Sequence, residues 1–407
     1  MGLEPGKKLP KARGNPGNLG LEPEQENAGS RGQPRPQVYI CMKAEKCVAE
    51  CDLHRDFVAV TYDSLGGELL SERRYPVTLE GMVALALDLI ALGCRRLAVE
   101  SVGRFWPCFL YTLKRLYSEI CGLNLMAVLA NPLSTRGFGK KTDVLDAERI
   151  AKLLLAGNLV VSNIPPTLKA MLFKLLCRLR RRLAQDRAKV ANRLRKLLAV
   201  LGYRPHKLPN RLLKAFSHIA NGELPRNAFE EEGVEPPKGL YGVDATTRAM
   251  LSSLLSLYAQ LSGELARLDA AIAEQATELY GGLYKLLLTV PGIGPLLAGI
   301  ILAETVDARC FPSARHYKSY CGLAPRLRES GGKARLGRCG VGNPVLRWAF
   351  YMVAIGAVRK DPELRAFYGR LLARGKPRRV ALVVVAGKLA RRCWAVLRSG
   401  EPYKPQR

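Results

Sequence analysis

The sequence predicts an α/β domain followed by long coiled-coil-like helices and a mostly helical, all-α C-terminal part. Three observations carry this. Between 46 and 156, short β-rich runs alternate with helical stretches. From 168 onward, leucines recur at spacings of three, four or seven. The last third, 284–407, keeps helical periodicity around glycine-rich breaks at 291–299 and 329–343. Period-2 and period-3.6 patterns separate strands from helices.

In order along the chain, residues 1–36 hold 7 Gly and 6 Pro and almost no large apolar residue, so a disordered arm is expected there. Runs 47–52 and 56–62 read as strands, and Gly66-Gly67 turns the chain into a third strand within 66–76. Thr78 is a good N-cap for a helix to about Leu92. A strand at 95–101, a helix at 105–121, a strand at 124–130 and a helix from Thr142 follow. Three strands in hairpin order and then alternating β and α imply a mixed sheet with helices on its faces. The first α/β domain spans 37–160.

Residues 161–282 form a long helical region. Leu168, Leu172, Leu175, Leu179, Leu183, Val190, Leu194, Leu197 and Leu201 mark one helix over 168–201. Leu251, Leu254, Tyr258, Leu261, Leu265, Leu268, Ile272 and Leu279 give a near-heptad seam over 246–280. A Pro- and Glu-containing stretch, 203–240, joins them. The two helices could pair antiparallel within the chain or with another subunit. Residues 283–407 form a C-terminal domain.

The net charge is +29, and it is unevenly placed: +12 falls on 178–214 and +16 on 326–407, against +3 on 37–177. Such concentration points to a polyanion partner, DNA or RNA, with a membrane surface as the other candidate. A membrane span is not expected. The longest apolar stretch, 286–303, is broken by Pro291, Gly292, Gly294, Pro295 and Gly299. The start has no apolar core for a secretory signal, so the 11 dispersed cysteines are expected to stay reduced in a cytosol.

Three constellations could carry chemistry. Asp52 and Glu100 end predicted strands, and Asp143 and Asp146 open a helix on one face. Together they could bind divalent ions through hard oxygen ligands, or they could be ordinary strand-end and helix-start acids. The run 291–302, with Gly292 and Gly294, resembles a helix-hairpin-helix element that offers backbone N–H groups to phosphate; a tight helix–helix turn is the alternative. Ser330 stands beside Gly331, Gly332 and Lys333 in a basic setting, either as a nucleophile or in a flexible phosphate-binding loop. Candidate nucleic-acid contacts are Arg180, Arg181, Arg182, Arg187, Lys189, Arg193, Gly292, Gly294, Lys333, Arg335 and Arg347. The segment 137–142 lacks the spacing of a phosphate loop, and Cys41, Cys47, Cys51 and His54 match no usual zinc pattern.

In this order the motifs resemble the DEDD insertion-sequence transposases of the one-hundred-ten type, also called bridge-RNA-guided recombinases. The carrying segments are Asp52-Leu53-His54-Arg55, Glu100-Ser101-Val102-Gly103 and Lys141-Thr142-Asp143-Val144-Leu145-Asp146-Ala147. Pro291 to Gly294, Gly322-Leu323-Ala324-Pro325, Ser330 to Lys333 and Gly342-Asn343-Pro344-Val345-Leu346-Arg347 complete them. The match covers about 40–400, with Arg55 in place of the usual lysine.

The resemblance implies a RuvC-like N-terminal domain of RNase H fold. It implies that Asp52, Glu100, Asp143 and Asp146 hold one or two Mg²⁺ ions, and that Ser330 forms a transient serine–DNA linkage. It further implies donor and target DNA, a structured noncoding guide (bridge) RNA that reads sequence by base pairing, and a homodimer or homotetramer in a prokaryotic, nucleoid-associated setting. Two other functions remain open at this level: a structure-selective nuclease of the Holliday-junction resolvase type, and a non-catalytic nucleic-acid-binding protein.

Overall fold

The computed structural model describes residues 45–100, 105–130, 143–159, 161–235, 243–330 and 333–404, with the backbone alone at 143–148, 326–330, 333–336 and 338. The expected arm at 1–36 lies outside the described residues.

Strands β1 (Cys47–Leu53), β2 (Phe57–Ser64), β3 (Leu69–Pro76), β4 (Cys94–Glu100) and β5 (Met126–Ala130) form one sheet in the order β3-β2-β1-β4-β5. β1 runs antiparallel to β2 and parallel to β4; β3 continues the antiparallel side and β5 the parallel side. The mixed sheet expected from hairpin order followed by βα alternation is therefore present. Helices α1 (Leu79–Ala91) and α2 (Trp106–Cys121) cover one face, and α3 (Asp143–Leu155) packs on the other. Thr78 caps α1 as its position predicts, its hydroxyl accepting from the Gly81 amide at 3.2 Å.

Strand alternation divides β1 between the two faces. Cys47, Ala49, Cys51 and Leu53 join the core under α1 and α2. Val48 joins Ala98, Ala130, Ile150, Ala151 and Leu154 under α3. Glu50 and Asp52 share the Val48 face.

Two long helices follow. α4 (Leu168–Val200) is capped by Thr167 and α7 (Ala245–Leu288) by Asp244, whose carboxylate accepts from the Thr247 amide at 2.7 Å. They pair antiparallel within the chain. Arg180 holds Asp269 with two bonds of 2.5 and 2.9 Å, Lys169 pairs with Glu278, and the Arg187 guanidinium lies 5.9 Å from the Tyr258 ring centre. α7 runs eight residues beyond its expected end, through a break at Gly281, where φ is +41°.

The apolar seam expected on α4 is displaced over its first three turns. Leu168, Leu172, Leu175 and Leu179 are exposed. Ala170, Met171, Phe173, Lys174 and Cys177 are buried instead. The helix is rotated there so that Phe173 and Cys177 join the C-terminal core.

The joining stretch is not a plain linker. α5 (Asn210–Ala220) and α6 (Pro225–Glu231) bury Leu212, Phe216, Ile219 and Phe229 against Leu194, Leu198, Leu251 and Leu255. Each large side chain so buried contributes about 1.5–3 kcal/mol.

The C-terminal core gathers α8 (Pro295–Thr305), α9 (Ala314–Tyr320), α10 (Pro344–Lys360), α11 (Pro362–Ala373) and α12 (Arg378–Ser399). The break expected over 291–299 ends earlier, because α8 starts at Pro295 and continues through Gly299. The glycine-rich stretch 329–343, expected as a break between helices, instead lies largely in a β-hairpin: β6 (Pro325–Ser330) pairs antiparallel with β7 (Lys333–Cys339). Alternating arginines with small and apolar residues suit strands better than helix.

One polar cluster joins these parts. Glu304, at the end of α8, is fully buried. Arg178 of α4 donates two hydrogen bonds to it at 2.6 and 3.0 Å, Lys174 lies 3.7 Å away, and Asn343 Nδ2 donates at 2.7 Å. Asn343 also caps α10, its Oδ1 accepting from Val345 and Leu346 amides. Asn163 Nδ2, on the connection leaving the sheet, donates to the Thr305 carbonyl at 2.8 Å. Burial pushes the Glu304 pKa up, but the Arg178 hydrogen bonds, the Lys174 and Arg178 charges and Asn343 outweigh it and hold the carboxyl below its usual 4.5.

Glu304→Gln is therefore expected to destabilise the protein by about 3–5 kcal/mol at pH 7, since two cations lose their buried partner. The contribution is complete above pH 4.5 and is lost as pH falls through the depressed native value. Urea unfolding of both proteins at pH 7 and pH 4 checks this: the gap between them should narrow at the lower pH.

Candidate functional site

Asp52 and Glu100 come together because of register. On parallel neighbours β1 and β4, Glu50 pairs with Ala98 and Cys51 with Val99. One step further along, Asp52 and Glu100 stand side by side at the ends of their strands. α3 packs against the same sheet face through Ile150 and Leu154. Positions 143 and 146 precede Ile150 by seven and four residues, which places them on the same helical stripe one to two turns nearer the helix start. Register thus sets Asp52 and Glu100 side by side, and α3, which opens with positions 143 and 146, packs on the same sheet face.

Two more groups belong to this neighbourhood. His54, beyond the end of β1, sets Nε2 3.1 Å from Asp52 Oδ2 and stacks on Phe57 with ring centres 4.4 Å apart. Arg74 lies over the Phe57 ring at 5.2 Å. Glu50, two residues before Asp52, is buried. Its pKa is pushed up to about 8, first by burial and then by the charges of Asp52, Glu100 and Asp63. Carboxylates near enough to repel one another in this way form a set of hard oxygen donors suited to a divalent cation. Cys47 and Cys51 point to the opposite core, away from His54.

Sequence reasoning passed over Glu50. The signal was available: from a strand-end Asp52, the residue two positions back must lie on the same face.

The basic candidates on α4 divide sharply. Arg180 is spent on Asp269 with its side chain 13% exposed. Arg181 lies over Trp348 at 5.4 Å and Arg187 over Tyr258. Arg182, Lys189 and Arg193 are exposed, Lys189 with Asp186 at 2.8 Å as a solvated pair. Arg347 is half-buried and donates to the Gly340 carbonyl at 3.0 Å, bracing the chain between β7 and α10. Sequence alone cannot tell such cations apart, since each has the same helical surroundings of leucine and arginine.

In the hairpin between α7 and α8, Gly292 has φ +83°, and a Cβ there would stand 2.5 Å from the Val353 carbonyl and 2.6 Å from the Ala357 amide of α10. Close packing thus accounts for this glycine. Gly294 is the N-cap of α8 and has open space at its Cβ position. Ser330 ends β6 and pairs in register with Lys333, and Arg328 pairs with Arg335; the side chains at 330, 333 and 335 lie outside the description.

Two family models match the chain. One, described as Transposase IS116/IS110/IS902 family, covers residues 284–369, and the other, described as Transposase, covers 52–202. Among relatives, a putative transposase of Sinorhizobium fredii is 30% identical over 214 residues, 48% of this chain and 54% of that protein. A probable family 20 transposase of Pseudomonas aeruginosa is 30% identical over 216 residues, 49% of this chain and 64% of that protein. A pilin gene-inverting protein of Moraxella bovis is 33% identical over 124 residues, 29% of this chain and 38% of that protein. The chain spans about half the length of the curated relatives it matches.

Two predictions separate packing from binding. Gly292→Ala should lower stability by about 1–3 kcal/mol through overpacking, whereas Gly294→Ala should be close to neutral in thermal unfolding. Arg182→Ala should leave stability unchanged and reduce the salt slope of nucleic-acid binding by about one. Arg180→Ala should lower the melting temperature instead; filter binding across a salt series and calorimetry read the two effects.

Proposed function

Because the chain carries both domains of the IS110/IS116 transposase family, we propose that it cuts and rejoins DNA as the transposase of an insertion sequence. The observation that carries this is the placement of Asp52 and Glu100 on adjacent parallel strands, with α3 packed on the same face of the sheet. Asp52, Glu100, Asp143 and Asp146 are the residues that would hold Mg²⁺. Bound there, the ion supplies charge neutralisation at the non-bridging oxygens of a phosphodiester.

The remaining chemistry belongs to the chain. His54 orients the Asp52 carboxylate through Nε2. The Ser330 hydroxyl attacks a DNA phosphodiester, forming a serine–phosphate bond, and its proton leaves with the displaced DNA hydroxyl. Attack by a hydroxyl of the second duplex reverses the exchange and frees the serine. One ester forms for each ester broken, so no external energy source is needed. Cations around Ser330, including Lys333 and Arg335, meet the charge that develops on phosphate. Exposed Arg182, Lys189 and Arg193 track a nucleic-acid backbone. A structured guide RNA supplies sequence recognition by pairing with donor and target DNA, and two or more subunits assemble so that the sheet domain of one chain can serve the serine of another.

The purified chain, incubated with guide RNA, both DNA substrates and Mg²⁺, should give recombined joints and, on denaturation, a protein–DNA adduct that maps to Ser330 by mass spectrometry. Ser330→Ala should abolish both. Cleavage by Ser330→Ala at the wild-type rate, with no adduct in either protein, would replace this reading with a water-attacking nuclease.

A further inference from the structure

We propose that Glu50 is a fifth carboxylate of the metal centre, a divalent-cation ligand that reaches the site from the protein interior. The inference rests on the reading of Asp52 and Glu100 as metal-binding residues.

Two observations carry it. The first is placement. Glu50 and Asp52 are two apart on β1 and share the sheet face turned to α3, the face that buries Val48, Ala98, Ile150 and Leu154. Glu50 lies in register with Ala98, so Glu100 is two residues further along the neighbouring strand, level with Asp52. A glutamate is one methylene longer than an aspartate, which lets a carboxylate rooted one level deeper approach those at the strand ends.

The second is burial without a partner. Glu50 is 2% exposed. Among the described residues it has no hydrogen-bond donor and no ion pair. The other buried acids of the C-terminal part are treated differently. Glu304 is met by Arg178, Lys174 and Asn343, and Asp361 caps α11 through the Leu364 amide. A buried carboxylate needs such compensation, because leaving it unmet costs several kcal/mol.

The placement of Glu50 beside Asp52 and Glu100 supplies a partner for it. A divalent ion bound by Asp52 and Glu100 provides the compensation that Arg178 and Lys174 provide for Glu304.

The test is Mn²⁺ binding to the full chain without nucleic acid, by isothermal titration and by the rise in melting temperature on adding the ion. Wild type should bind. Glu50→Gln should weaken binding at least tenfold and shrink the metal-induced rise in melting temperature, and Glu50→Asp, which keeps the charge but shortens the reach, should fall between. Asp52→Asn should remove tight binding. Glu50→Gln and Glu50→Asp binding Mn²⁺ as wild type does, while Asp52→Asn loses it, would overturn the assignment of Glu50 alone. Asp52→Asn binding as wild type does would overturn the underlying metal reading. Since Glu50→Gln removes an unmet buried acid and keeps its shape, the metal-free variant should melt no lower than wild type, which separates lost binding from lost folding.

Discussion

Glu304 carries its charge with no exposure to solvent, and that charge has to be met inside the protein. Meeting it draws Arg178 and Lys174 from α4, Asn343 from the cap of α10, and, through the adjacent Thr305 carbonyl, Asn163 from the connection that leaves the sheet. α4 and the cap of α10, far apart in sequence, are fixed to one carboxylate, and the connection from the sheet is tied to the residue beside it. The rotation of α4 follows from the same constraint: to deliver Lys174 and Arg178 to Glu304, and Phe173 and Cys177 to the core beside it, the first turns give up their leucines to solvent. Asn343 and Gly342, prominent as a sequence motif, are explained by the same junction. Gly342 has φ +121°, and a Cβ there would lie 2.6 Å from both the Gly322 amide and the Tyr320 carbonyl.

The protein handles its charges in two opposite ways. In the helical part, acids are paired inward: Glu304 with Arg178, Asp269 with Arg180, and Glu363 with Lys388 and Arg392. Arg182, Lys189 and Arg193 are left facing out. In the sheet domain, Glu50, Asp52 and Glu100 are held close to one another. The uneven net charge of the sequence is the outward sign of this arrangement. It separates a surface that attracts phosphate from a site that concentrates carboxylate oxygens.

The sheet domain was legible because its signals are local. Period-2 runs, the Gly66-Gly67 turn and the Thr78 cap each act within a few residues, and all five strands fall within two or three residues of their expected limits. The convergence of Asp52 and Glu100 followed from strand order. What depended on tertiary packing was not legible. Leu168 and Leu172 look like core residues and are exposed, because a buried ion pair elsewhere decides the face of α4. Arg180 and Arg182 are indistinguishable as sequence, yet Asp269 claims one of them. Phe216 and Phe229 fold the 203–240 stretch into a small core only because α4 and α7 lie alongside it. The β6–β7 hairpin was hidden because its glycines read as breaks rather than as a turn between strands.

The central claim is that the end of the β1–β4 pair is a divalent-metal centre. The most direct measurement is anomalous X-ray scattering at the manganese edge from crystals of the protein grown with Mn²⁺. The account predicts a peak bounded by the carboxylates of Asp52 and Glu100 and by the start of α3. A manganese peak elsewhere, with those two carboxylates left to solvent, would contradict it.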